Sequence, residues 1–149
     1  MTARITLVLF VLTQLLGVAR ATPQPSSLIG SWRVEIAFQN GERRFFRLDA
    51  RAAGKGFFFP LGPRQVGPTE PSAAEWTQSE DHSLGISGPV QFPLGNVGLA
   101  RGTLVLKGKF GADGSITGEA SFFPSEQDPK DPKATPSKNG TFSAVRVRD

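Results

Sequence analysis

From residue 28 onwards the chain alternates apolar and polar side chains, the period-two signature of strands that bury one face. In 28–38, Trp32, Val34, Ile36 and Phe38 share one face, and Arg33, Glu35 and Ala37 take the other. Gln39-Asn40-Gly41 interrupts the pattern, and Asn-Gly between two alternating runs is a strong hairpin signal. The return strand, 42–50, sets Phe46, Leu48 and Ala50 against Phe45, Arg47 and Asp49. A third strand is expected over 55–61, with Phe57, Phe59 and Leu61 on one face, and a short fourth over 73–79 carrying Trp76. The fifth, 83–92, holds Leu84, Ile86 and Phe92. The sixth, 99–110, holds Leu104, Leu106, Gly108 and Phe110. The seventh, 115–123, aligns Ile116, Gly118, Ala120 and Phe122. The eighth, 141–148, aligns Phe142, Ala144 and Arg146.

Eight short strands, no helical period and no crossover long enough for a βαβ unit predict an all-β barrel or sandwich, and whether the sheet closes stays open at this point. Sequential hairpins favour an eight-stranded antiparallel up-and-down β-barrel, which also removes exposed strand edges. Hairpins in such a barrel lie at alternate ends. The tight turns at 52–54, 80–82 and 111–114 therefore share one end. The two longest connections, 62–72 and 124–140, share the other. One closed end and one end framed by long loops are expected.

The segment before the strands reads differently. Arg4 precedes an apolar run from Ile5 to Val18, and Ala19-Arg20-Ala21 follows, the charged, apolar and small-residue order of a cleaved signal peptide over 1–21. The apolar run is shorter than the ~20 residues of a membrane span, so the processed chain is not expected to cross a membrane by a helix. A Pro/Ser linker over 22–27 leads to a single barrel domain, 28–149. The expected location is secreted or periplasmic. The absence of cysteine, and hence of disulfides, points to a bacterial source.

Processing removes Arg4 and Arg20 and lowers the formal net charge from +4 to +2. The remaining basic residues are interleaved with acids, which does not favour a nucleic-acid partner. Twelve Phe, two Trp and no Tyr supply apolar area without polar handles. Six inward residues are assigned to the long-loop end: Phe59, Leu61, Trp76, Phe92, Phe122 and Phe142. An eight-stranded barrel is just wide enough to be filled by its side chains or to hold one small ligand. Both a small hydrophobic ligand within these residues and a Phe-filled core remain open at this point.

Gly30-Ser31-Trp32 at the start of the first strand resembles the G-x-W signature of the calycin superfamily, the lipocalins and avidins. The resemblance implies that Trp32 plugs the closed end and that an Arg late in the last strand packs across it, for which Arg146 is the first choice. Gly30, Trp32 and Arg146 are then residues of the fold. The T-D-Y signature, the paired cysteines of many lipocalins and the polar biotin-binding set of avidins are all missing, so no ligand identity carries over.

Little catalytic chemistry is legible. His82 is the only histidine, and Asp81-His82-Ser83 places triad residue types side by side on a turn, where they do not converge. Glu126, Asp128 and Asp131 could offer oxygens to calcium, but Lys130 and Lys133 intervene, so no metal and no cofactor is expected. Asn139-Gly140-Thr141 matches a glycosylation sequon. Arg43, Arg44, Arg47 and Arg51 make a basic stretch on the second strand, but its members point to both faces, so a phosphate or membrane patch is not favoured by the sequence. The leading expectation is a binding protein for a small hydrophobic ligand. The alternative is a protein-interaction or structural module using 62–72 and 124–140, and an enzyme is the least supported class.

Overall fold

The computed structural model describes residues 27–62, 71–94 and 97–148. The expected signal peptide, all of the linker but Ser27, and most of the 62–72 loop lie outside these residues.

Eight strands follow one another: β1 (Gly30–Phe38), β2 (Arg43–Arg51), β3 (Lys55–Leu61), β4 (Ser72–Gln78), β5 (Ser83–Pro93), β6 (Leu99–Phe110), β7 (Ile116–Pro124) and β8 (Lys138–Arg146). Each pairs antiparallel with the next, and β8 returns to β1 to close the barrel. The turns carry the backbone demands that their residues announce. Gly41 sits at φ 85° in the β1–β2 turn, where Asn40 Oδ1 accepts from Glu42 N. In the β2–β3 turn Ala53 (φ 59°) and Gly54 (φ 69°) are both left-handed, the pair of conformations that a two-residue hairpin turn prefers.

Alternation decides the interior. Trp32, Val34, Ile36 and Phe38 of β1 are buried, as are Leu104 and Leu106 of β6, Ile116, Ala120 and Phe122 of β7, and Phe142 and Ala144 of β8. The rings touch across the lumen. Phe92 meets Phe122 at 4.9 Å between centroids, Phe38 at 5.9 Å and Phe46 at 6.0 Å, and Phe46 meets Phe58 at 5.9 Å. Three rings lie against glycines of other strands. A Cβ on Gly88 would stand 3.1 Å from Phe58 Cε2, one on Gly102 2.7 Å from Phe122 Cζ, and one on Gly108 2.8 Å from Phe142 Cζ. Large residues over glycines let an eight-stranded barrel fill itself at close packing. That packing absorbs most of the inward Phe residues.

Three expectations change. Phe59 and Leu61 face outward, and Phe58, fully buried, takes the inward position. Three consecutive Phe give no phase, and pairing supplies it: inward Leu48 stands opposite Phe58, and Ala50 opposite Gly56. Trp76 is displaced to the short-hairpin end. β4 begins opposite Phe58, so Glu75 already reaches Lys55 and Trp76 lies beside the β2–β3 turn. Its Nε1 donates to Arg51 O and Lys55 O, both at 2.9 Å. Finally, β8 begins at Lys138 rather than at residue 141, because Gly140 can lie tightly against β1, where a side chain would meet the Ala37 carbonyl.

Candidate functional site

The two ends of the barrel are built differently. At the short-hairpin end, Ser27–Ile29 runs beneath the lumen with Leu28 fully buried. Trp32 Nε1 donates to Leu28 O at 2.7 Å, and Gln78 Oε1 accepts from Leu28 N at 3.0 Å. Arg146 stacks its guanidinium 4.5 Å from the Trp32 ring and donates to Ile29 O and Ser27 O, each at 2.9 Å. Gly30 has φ 133° with Arg146 Nη1 against its Cα, so no other residue fits there without strain. Trp32, Arg146 and Gly30 thus form the floor: Trp32 Nε1 and both terminal guanidinium nitrogens of Arg146 are engaged, and the buried Arg146 Nε has no partner among the described residues.

The opposite end carries charge over apolar rings. Arg44 is in phase with Phe46, Leu48 and Ala50, so β2 aims it inward. Lys138 is in phase with Gly140 and Phe142, so β8 does the same from the other side. Both cations bond to the one carboxylate of Glu42, which leaves the β1–β2 turn beside them. Arg44 also donates to Pro93 O at 3.3 Å, while its buried Nε has no partner among the described residues. The cations stand over the aromatic floor: Arg44 Cζ is 5.1 Å from the Phe92 centroid, and Lys138 Nζ is 5.7 Å from both Phe38 and Phe92. Such contacts are worth about 0.5–2 kcal/mol each as water is excluded.

Partial burial alone would raise the Glu42 carboxyl. Hydrogen bonds from Lys138, Asn40 and Arg44, together with the Arg44 charge, outweigh it and hold the pKa below its ordinary value. The mouth is therefore a set of two cations and one anion with a surplus positive charge, resting on buried rings.

Of the six residues expected to line a ligand site, only Phe92 and Phe122 meet at this end. Phe142 is buried, but its ring runs along the wall to Gly108, two residues before β6 ends at a short hairpin. Trp76 is at the floor end, and Phe59 and Leu61 lie on the outer wall, as described above. Glu42, Arg44 and Lys138 were missed. Arg44 could have been found from the β2 alternation, whereas Lys138 lay in a stretch read as loop.

Other candidates stay apart. His82 is exposed at φ 66° in the β4–β5 turn, and Asp81 bonds past it to Ser83 N and Oγ. Those two Ser83 bonds, the hydroxyl's the stronger, hold the Asp81 carboxyl below its usual value. Asp128 and Asp131 accept from Lys130 N and Lys133 N, each at 2.9 Å, so the Asp-Pro-Lys pair of 128–133 forms two successive turns instead of an oxygen cage. Among the described residues no group of three or more His, Cys, Asp or Glu could hold a metal ion. A shallow depression of about 390 Å³ lies on the outside of β1, β7 and β8, lined by Glu35, Thr117, Thr141 and Ser143 among others.

The architecture is a closed eight-stranded antiparallel barrel, consistent with a calycin-like fold. Compared with known proteins, the chain matches no family model, no curated protein and no solved structure.

Proposed function

We propose that the protein is an exported, calycin-like binding protein that takes a small apolar molecule with an acidic head at the long-loop mouth of its barrel. One observation carries the reading: Arg44 and Lys138 both turn inward over Phe38 and Phe92 and share a single carboxylate. A ligand carboxylate would replace Glu42 between the two cations. Its apolar part would lie across Phe38 and Phe92, uncovered once the long charged side chains swing aside. The packed lumen keeps the ligand at the mouth instead of deep in the barrel.

Calorimetric titration with decanoate and with decanol tests this. The reading expects decanoate to bind more tightly, and Arg44→Met to abolish the difference. Equal affinity for the two heads, or no binding of either, would overturn it.

A second reading, a protein-interaction module using 62–72 and 124–140, draws on the ordered 125–137 loop, whose turns are tied to the barrel by Ser125 N to Arg101 O and Ser137 N to Phe122 O. It expects the loop, not the mouth, to respond when a partner binds.

A further inference from the structure

The outer wall of β1, β2 and β3 carries an arrangement that packing does not require. Outward positions of β2 and β3 hold Phe45, Phe57, Phe59 and Leu61, none of them buried, and Leu61 is 43% exposed. Outward arginines lie on the rings: Arg47 Cζ is 4.4 Å from the Phe59 centroid, Arg51 4.7 Å from Phe57, and Arg33 5.9 Å from Phe45. The register makes this a grid, since Arg33 stands opposite Arg47 and Arg47 opposite Phe59, with Phe45 opposite Leu61 one rung away.

The wall is also electropositive. Arg33, Arg43, Arg47, Arg51 and Lys55 face outward against Glu35 and Asp49. Those two acids pair with Arg43 (2.7 Å) and Arg47 (3.0 Å). Lys55 reaches Glu75 of β4 at 2.9 Å. Among the described residues no salt bridge is found for Arg33 or Arg51, whose guanidinium groups lie against Phe45 and Phe57. A guanidinium stacked on a ring keeps its donors free at the rim and loses little entropy when they engage an anion, and its fork fits phosphate oxygens.

We infer that this wall docks on an anionic lipid bilayer. On this wall β1, β2 and β3 pair with one another along their lengths, and among the described residues only 59–61 of β3, beyond its pairing with β4, leave a short edge, so a partner chain has little strand edge to extend. What the wall does offer is one convex layer in which cations alternate with apolar side chains. A bilayer surface presents the complementary layer, phosphates with the tops of acyl chains directly beneath them. Arg33 and Arg51 would take phosphates, and Leu61 with the ring edges of Phe57 and Phe59 would settle at the headgroup boundary. This surface is separate from the mouth, so the two readings stand or fall independently.

The test is co-sedimentation of the protein, recovered from an export-competent bacterial host, with vesicles of equal parts phosphatidylglycerol and phosphatidylcholine. Pure phosphatidylcholine vesicles control for any apolar N-terminal run. The inference expects binding to the anionic vesicles alone, weakened about fivefold by each of Arg33→Gln and Arg51→Gln, and weakened again by Leu61→Ser. The β6 wall, four strands away, is also basic through Arg101, Lys107 and Lys109 but carries no Arg–Phe stack, so Arg101→Gln with Lys107→Gln should leave binding within twofold. Equal losses from both walls, no binding to anionic vesicles, or stronger competition by soluble poly-glutamate than by lipid would each overturn the inference. The last result would assign the wall to an acidic protein segment.

Discussion

Replacing Phe92 with Ala tests whether the lumen is filled as described. Phe92 is 1% exposed and touches Phe38, Phe46 and Phe122, with Arg44 and Lys138 above it. Removing the ring forfeits its transfer free energy and leaves a void that three neighbouring rings cannot all collapse into, a loss of about 3–5 kcal/mol. Two cation–π contacts go with it. For a domain of this size that corresponds to a fall in Tm of roughly 10–15 °C. Urea unfolding followed by tryptophan fluorescence is a clean assay, because Trp32 and Trp76 both sit at the other end and report global unfolding without being perturbed by the substitution. Phe59→Ala is the internal control: the same residue type on the outer wall, stacked on Arg47, should cost only about 1 kcal/mol. A loss below about 1.5 kcal/mol for Phe92→Ala, or equal losses at the two positions, would refute the packed lumen and the reassigned phase of β3. The void should also make the variant, unlike the parent, take up benzene or xenon.

Ala53→Asn should stabilise the protein by about 0.5–1 kcal/mol, because Ala53 holds φ 59° and Asn tolerates that conformation better, as thermal unfolding would record. Gly102→Ala should cost about 1–3 kcal/mol in the same assay, since the new methyl would meet Phe122 and the Phe123 carbonyl. Glu42→Gln should cost about 1 kcal/mol at neutral pH yet tighten decanoate binding roughly tenfold, by removing the carboxylate that competes for Arg44 and Lys138. The folded-state pKa of Glu42 lies below its unfolded value, so its stabilisation is present above about pH 4.5 and is lost as pH falls through the lowered value. The parent's advantage over Glu42→Gln should therefore vanish on acid titration, and a gap that persists in acid would contradict the ion cluster.

Where alternation was unbroken, the chain declared its fold. In β1, β6 and β7 one phase is predominantly apolar, and in each the inward residues are those the pattern names. The turn residues followed from the same reading, and sequential hairpins favoured a barrel over a sandwich, but closure itself is visible only in the pairing of β8 with β1. The pattern failed where it carried no phase. Phe57-Phe58-Phe59 is apolar at every position, and only the partner strand selects Phe58. Trp76 was misplaced because its height in the barrel depends on where β4 starts to pair, which the 62–72 loop leaves undetermined. The mouth was hidden for a different reason. Two of its three residues are cations on inward positions, and a rule that sends charge outward discards them. Arg44 sat in a basic run of β2, and Lys138 lay in a stretch whose proline and lysine content masked the first three residues of β8.

The most direct measurement is an NMR titration of the protein with decanoate, following the side-chain signals of Arg44, Lys138, Phe38 and Phe92. The account predicts that these four move together and saturate, with the Glu42 carboxyl signal shifting as its cations are taken. Shifts confined to the outer wall at Arg33, Arg51 and Phe57, or no saturable shift at the mouth, would contradict it.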